Sequence, residues 1–148
     1  MSLQERVNEQ LKLAMKAKDT TALESLRAIK TAILLSQTKA SAKELTSDDE
    51  IKLVQKLVKQ RKDSAEIFRQ QGRMDLVEPE EAQIKIIERF LPKQLDEESI
   101  SKKVAEIIAS NGATGMKDMG KVMGIASKEM AGKADGKTIS SIVREKLS

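Results

Sequence analysis

Cysteine and histidine are absent from the 148 residues. Without cysteine there is no disulfide framework, no thiol nucleophile and no cysteine-bound zinc or iron–sulfur cluster. Without histidine the commonest general base and metal ligand is missing, and a Ser-His-Asp triad is excluded. Tryptophan and tyrosine are absent too. The aromatic residues are Phe68 and Phe90, both expected in the core, which leaves no platform for stacking splayed bases. Proline occurs only at positions 79 and 92. No run approaches the ~18 apolar residues of a membrane span. The opening Met1-Ser2-Leu3-Gln4-Glu5-Arg6 turns polar at once, unlike a secretory leader. The expected compartment is the cytoplasm, with no membrane involvement. No catalytic residue, metal site or cofactor is expected.

What is present favours helix. Charged residues make up 34% of the chain, above the usual ~25%. Ala, Leu, Lys, Glu, Gln and Met dominate, all good helix formers. The net charge is +4; residues 1–92 hold 17 basic and 15 acidic side chains, and residues 93–148 hold 10 and 8. This mild excess permits nucleic-acid binding without demanding it.

The expected fold is all-α: an N-terminal helical domain of about four helices over 1–91, then a C-terminal three-helix domain over 96–148. A first helix runs from Ser2 to about Lys16, capped by Ser2 and Glu5, with Leu3, Val7, Leu11, Ala14 and Met15 as its stripe. Thr21 and Glu24 repeat the capping pattern and start a second, whose broad apolar face takes in Leu23, Leu26, Ile29, Ile33, Leu34 and Leu35. Ser41 and Glu44 match the same pattern, but no apolar period follows. The longest helix starts with Ser47 and Glu50, carries Ile51, Val54, Leu57, Val58, Ala65 and Phe68 inward, and stops at Gly72. A fourth begins at Asp75 or Glu78, since Pro79 fits only a first turn, and ends at Leu91. Pro92 to Leu95 reads as a hinge-like connection. Three helices follow: Asp96 to Ser110, about Gly115 to Ala131, and Asp135 to the end, with Asp135 as N-cap.

The helix around Met119 carries the most information. At about 100° per residue, Met116, Met119, Met123, Ala126 and Met130 form a core seam. Gly120, Gly124, Ser127 and Ala131 form a smooth strip beside it, and Lys117, Lys121 and Lys128 form a row beyond. Glycine inside a helix costs roughly 1 kcal/mol relative to alanine. Two readings stand: a neighbouring helix packs on the strip, or a ligand backbone lies on it, held by lysines. The stretch Gly132-Lys133-Ala134-Asp135-Gly136-Lys137 precedes a helix N-terminus, which favours anions. It reads either as a turn with an Asp cap or as a phosphate contact. It lacks the frame of a nucleotide-binding glycine-rich loop. Lys52, Lys56 and Lys59 read as a solvated face. Arg61–Asp63-type clusters read as surface ion pairs, and Asp48-Asp49-Glu50 and Glu80-Glu81 as helix-start carboxylates.

Taken in order, several segments resemble the bacterial YqeY family. They are Leu26-Arg27-Ala28-Ile29-Lys30, Lys59-Gln60-Arg61-Lys62-Asp63-Ser64, Gly72-Arg73-Met74-Asp75-Leu76, Phe90-Leu91-Pro92-Lys93-Gln94-Leu95, Met119-Gly120-Lys121-Val122-Met123-Gly124 and Gly132-Lys133-Ala134-Asp135-Gly136-Lys137. Members look like the C-terminal tail region of GatB, the B subunit of the tRNA-dependent Asp/Glu-tRNA amidotransferase. The resemblance implies an all-helical fold with a larger N-terminal part, and a tail that helps hold the tRNA body while kinase and transamidase chemistry lie elsewhere. The associated label, carbon–nitrogen ligase with glutamine as amido-N-donor, follows that relationship and no catalytic residue here. Pro79 departs from the helix-forming residue expected in the fourth helix. The functional expectation is a non-catalytic accessory that binds tRNA backbone and shape through Lys117, Gly120, Lys121, Gly124, Lys128, Lys133, Gly136 and Lys137. The alternative is a protein-interaction module docking on an amidotransferase or an aminoacyl-tRNA synthetase.

Overall fold

Ser2 and Glu5 cap one another, and the first helix, α1 (Leu3–Ala17), starts there. The fold is described from a computed structural model, over residues 1–39 and 44–148. Six further α-helices follow: α2 (Thr20–Thr38), α3 (Ser47–Gln70), α4 (Met74–Ile87), α5 (Glu97–Asn111), α6 (Met119–Glu129) and α7 (Gly136–Leu147). Single 3₁₀ turns, Glu88–Phe90 and Met116–Asp118, extend α4 and precede α6. No strand occurs among the described residues. The Ser41–Glu44 pattern lies partly outside them.

Several boundaries differ from expectation because neighbouring frames compete. Lys18 ends α1 in a left-handed conformation (φ 53°), so the next residue, Asp19, caps α2 by accepting from the Ala22 N–H; Thr21 lies inside the helix. Thr46 and Asp49, not Ser47 and Glu50, form the capping box of α3. Glu50 is thereby free to accept the Leu3 N–H at 2.6 Å, supplying one of the unpaired amides at the start of α1. Gly72 (φ 73°) reverses the chain after α3, and α4 begins two residues later at Met74. Pro79 therefore sits in the second turn, not the first, and cannot donate to the Asp75 carbonyl. Buried Val77 anchors the earlier start. Glu80 and Glu81 fall in mid-helix, and Glu81 pairs with Arg69.

The chain divides into two compact units, 1–91 and 92–148. In the first, α4 packs on α2 and α3, and α1 on α2. Leu3, Val7, Leu26, Ile29, Ile33, Val54, Val58, Ile87 and Phe90 form its core. Met15, Leu34 and Leu35 are exposed, because the buried positions of their helices step by three and four and these three fall off the stripe. Arg61 makes no surface pair with Asp63. Its Nε donates to Gln83 Oε1 at 2.9 Å and a terminal nitrogen to the Leu57 carbonyl, while Gln83 donates to Glu24.

In the second unit α5, α6 and α7 pack pairwise around Ile100, Val104, Ile107, Val122, Ala126, Met130, Ile139, Val143 and Leu147. Gln94 and Leu95, expected in a hinge-like connection, are fastened to this unit. The Gln94 side-chain amide donates to the Pro92 and Gly132 carbonyls, each at 2.7 Å, and the Leu95 N–H donates to the Lys133 carbonyl at 2.8 Å.

Candidate nucleic-acid interface

The seam of α6 is centred on Val122, Ala126 and Met130, all fully buried. Met119 and Met123 flank it, and Met116 is exposed. The methionine alignment is thus turned from the true core by about 40°, because buried Val122 extends the seam on the side away from the glycines. Four of the chain's seven methionines, Met1, Met15, Met74 and Met116, are exposed.

This rotation leaves Gly120, Gly124, Ser127 and Ala131 exposed. A Cβ built on Gly120 or Gly124 would meet nothing within 4 Å among the described residues. No helix of the unit packs on this strip, so close packing within the unit does not account for the two glycines. Lys117, Lys121 and Lys128 border it, all exposed. None of them forms an ion pair among the described residues, nor do the exposed Lys133 and Lys137. Along the α6 axis Lys121 and Lys128 lie about 10 Å apart, at ~1.5 Å per residue. Lys128, Lys133 and Lys137 follow one another around the α6–α7 connection, whereas Lys117 lies toward the other end of α6.

The start of α7 is already served. Asp135 accepts the Thr138 N–H at 2.7 Å, so a carboxylate of the chain itself occupies the electropositive helix end. Gly136 opens the helix with free space around it. The glycine with a conformational role here is Gly132 (φ 77°), which turns the chain toward Lys133. Sequence reasoning missed Asp118. It accepts the Thr114 N–H at 2.9 Å and so fixes the turn that launches α6. That backbone bond, aided by the positive charges of Lys117 and Lys121, holds its carboxyl below the usual range. It also puts one negative charge beside the lysine row. Gln94 was missed as well: only its side-chain bond to Gly132, 38 residues on, reveals that it holds the loop. Among the described residues no group of three or more carboxylates is placed to hold a metal ion.

The architecture is that of a helical protein of two units, the second carrying a basic, glycine-edged helix. The chain belongs to the Yqey-like protein family, whose sequence profile matches residues 4–147. It is 31% identical over 144 residues to "Altered inheritance of mitochondria protein 41, mitochondrial" of Pyrenophora tritici-repentis, covering 95% of this chain and 78% of that one. A protein of the same name from Lachancea thermotolerans is 35% identical over 118 residues, covering 76% and 63%. A glutamyl-tRNA(Gln) amidotransferase component of Thermococcus gammatolerans is 30% identical over 105 residues. That match covers 68% of this chain but only 17% of the archaeal protein, so it reaches a small part of it. No helix among the described residues is long and apolar enough to cross a membrane.

Proposed function

We propose that this chain is a non-catalytic accessory protein that binds the backbone of a folded tRNA through its C-terminal unit. The observation that carries the reading is the open edge at Gly120 and Gly124, bordered by lysines without ion-pair partners among the described residues. A phosphate backbone approaching that edge meets no side chain at either glycine and finds Lys121 and Lys128 beside it, with Lys133 and Lys137 at the α6–α7 connection. Lysines bind phosphate as point charges and carry no base readout, which suits recognition by backbone and shape. The sequence relationship to a glutamyl-tRNA(Gln) amidotransferase component supports tRNA as the RNA class. The proposed compartment is the cytoplasm. Two relatives carry "mitochondrial" in their names, and tRNA is used in both compartments.

Replacing Lys121, Lys128, Lys133 and Lys137 together by alanine tests the reading. If four lysines neutralise four phosphates, log Kd against log salt should have a slope of roughly 3–4 in magnitude, at ~0.7–0.9 counterions per contact. The fourfold variant should flatten that slope and weaken binding, and alanines at Lys52, Lys56 and Lys59 should do less. Equal tRNA affinity for variant and parent across salt concentrations would overturn the proposal. A partner protein retained after nuclease treatment, with no salt-dependent tRNA binding, would favour the protein-interaction reading instead. The reading includes no catalysis by the chain alone. Amidation of mischarged tRNA by the purified chain with glutamine, ATP and magnesium would refute that part.

A further inference from the structure

A cleft of about 490 Å³ opens on the N-terminal unit and is lined by residues of that unit. Its wall is a second stripe of α1: Arg6, Gln10, Leu13 and Ala17 line it, one helical step beside the core stripe of Leu3, Val7, Leu11 and Ala14. Its floor is apolar, made by Ala22 and Leu26 of α2 with Ile86 and Phe90. Leu13 is 58% exposed on the rim, an uncovered large apolar side chain beside an apolar floor.

The charges are sorted along the cleft. Arg6 and Arg89 mark one end, where the Arg6 guanidinium lies 5.7 Å from the centre of the Phe90 ring. Neither arginine forms an ion pair among the described residues. Asp19 marks the other end, beyond Ala17, and spends its carboxylate on the Ala22 N–H. Glu9 lies between them. From Arg6 to Ala17 the wall runs about 16 Å, at ~1.5 Å per residue. That is three turns of helix, too long for a compact small molecule and matched to a helical segment laid alongside α1. The ring contact fixes Arg6 in place, so a carboxylate arriving there meets a positioned guanidinium.

We propose that this cleft docks an amphipathic helix of a partner protein, about three turns long, whose apolar stripe covers Leu13 and the floor and whose acidic end meets Arg6 and Arg89. The inference is independent of RNA binding by the C-terminal unit.

Two synthetic helical peptides of 14 residues test it on the full chain by fluorescence anisotropy at low salt. Both carry the same apolar stripe. One has glutamates at one end and lysines at the other; the second has lysines at both ends. The parent should prefer the first by about tenfold, the size that two exposed charge pairs supply. Leu13→Glu should abolish binding of both. Arg6→Glu with Arg89→Glu should reverse the preference toward the all-lysine peptide. Arg89→Glu alone, at an exposed position, should narrow it, which keeps the test valid if the double variant unfolds. Equal affinity for the two peptides, no binding of either, or no change in preference on charge reversal overturns the proposal. So does concentration-dependent dimerisation of the parent that Leu13→Glu abolishes, since the occupant would then be a second copy of this chain.

Discussion

Glu50 stands in the first turn of α3 but its carboxylate serves α1, accepting the Leu3 N–H in a partly buried position. A carboxylate–amide bond of this kind contributes about 1.5–3 kcal/mol, and removing it leaves the Leu3 amide unpaired. Glu50→Ala is expected to destabilise the protein by about 1–2 kcal/mol in urea unfolding. Glu5→Ala, which removes only one half of an exposed capping box, should cost less. The residue was legible as a helix-start glutamate and not as a bridge. The pairs Thr46/Asp49 and Ser47/Glu50 both fit a capping spacing in adjacent frames. Local sequence cannot choose between them; the position of the Leu3 amide in the fold does. Lys18 is a similar case. Nothing in its type announces a left-handed residue, and Lys18→Gly should stabilise the α1–α2 turn by up to about 1 kcal/mol, seen as a higher unfolding midpoint.

Elements begin with acidic caps, and this fixes how stability responds to acid. Asp49, Asp75, Asp96 and Asp118 all have carboxyls held below their ordinary value, by Thr46, Arg73, Ser99 and Thr114 respectively. Their lowered folded-state pKa means the unfolded chain binds protons first as pH falls. The contribution is therefore complete above pH of about 4 and is lost as pH drops through the folded values. The thermal midpoint should be flat from about pH 5.5 to 7, where no histidine titrates, and should fall below about pH 4. Asp→Asn at 49, 96 and 118 together should make that fall shallower. On α6, Gly120→Ala and Gly124→Ala should each raise stability by about 0.5–1 kcal/mol, since both sites are helical with open space. A packing role would give the opposite sign. Reduced tRNA affinity in these more stable variants would mark the edge as a contact surface. Helix existence was readable here from the 3.6-residue period, and the exposure of the glycine strip was not. A wheel gives relative angles within one helix; the joint burial of Val122, Ala126 and Met130 sets which angle faces the core.

At the scale of the whole molecule, the all-helical class followed from the lack of alternating apolar runs and from repeated caps. The attachment of residues 92–95 did not, because it depends on the Gln94 amide meeting a carbonyl 38 residues away. This attachment can be measured with fragments. A chain of residues 92–148 is expected to fold with a cooperative thermal transition. One of residues 96–148 lacks the bonds of Gln94 and Leu95 and should melt several degrees lower, at ~0.5–1.5 kcal/mol per bond. The same stitching sets a mechanical order. If the full chain is held at its two ends and pulled, load enters the second unit at Pro92. It crosses from Gln94 and Leu95 to the carbonyls of Gly132 and Lys133 before α5 carries any of it. Those bonds are the first under tension, and their rupture frees the turn that carries Lys133. Under the binding proposed above, force on the chain would loosen the grip of Lys133 on its phosphate before that of Lys121 or Lys128.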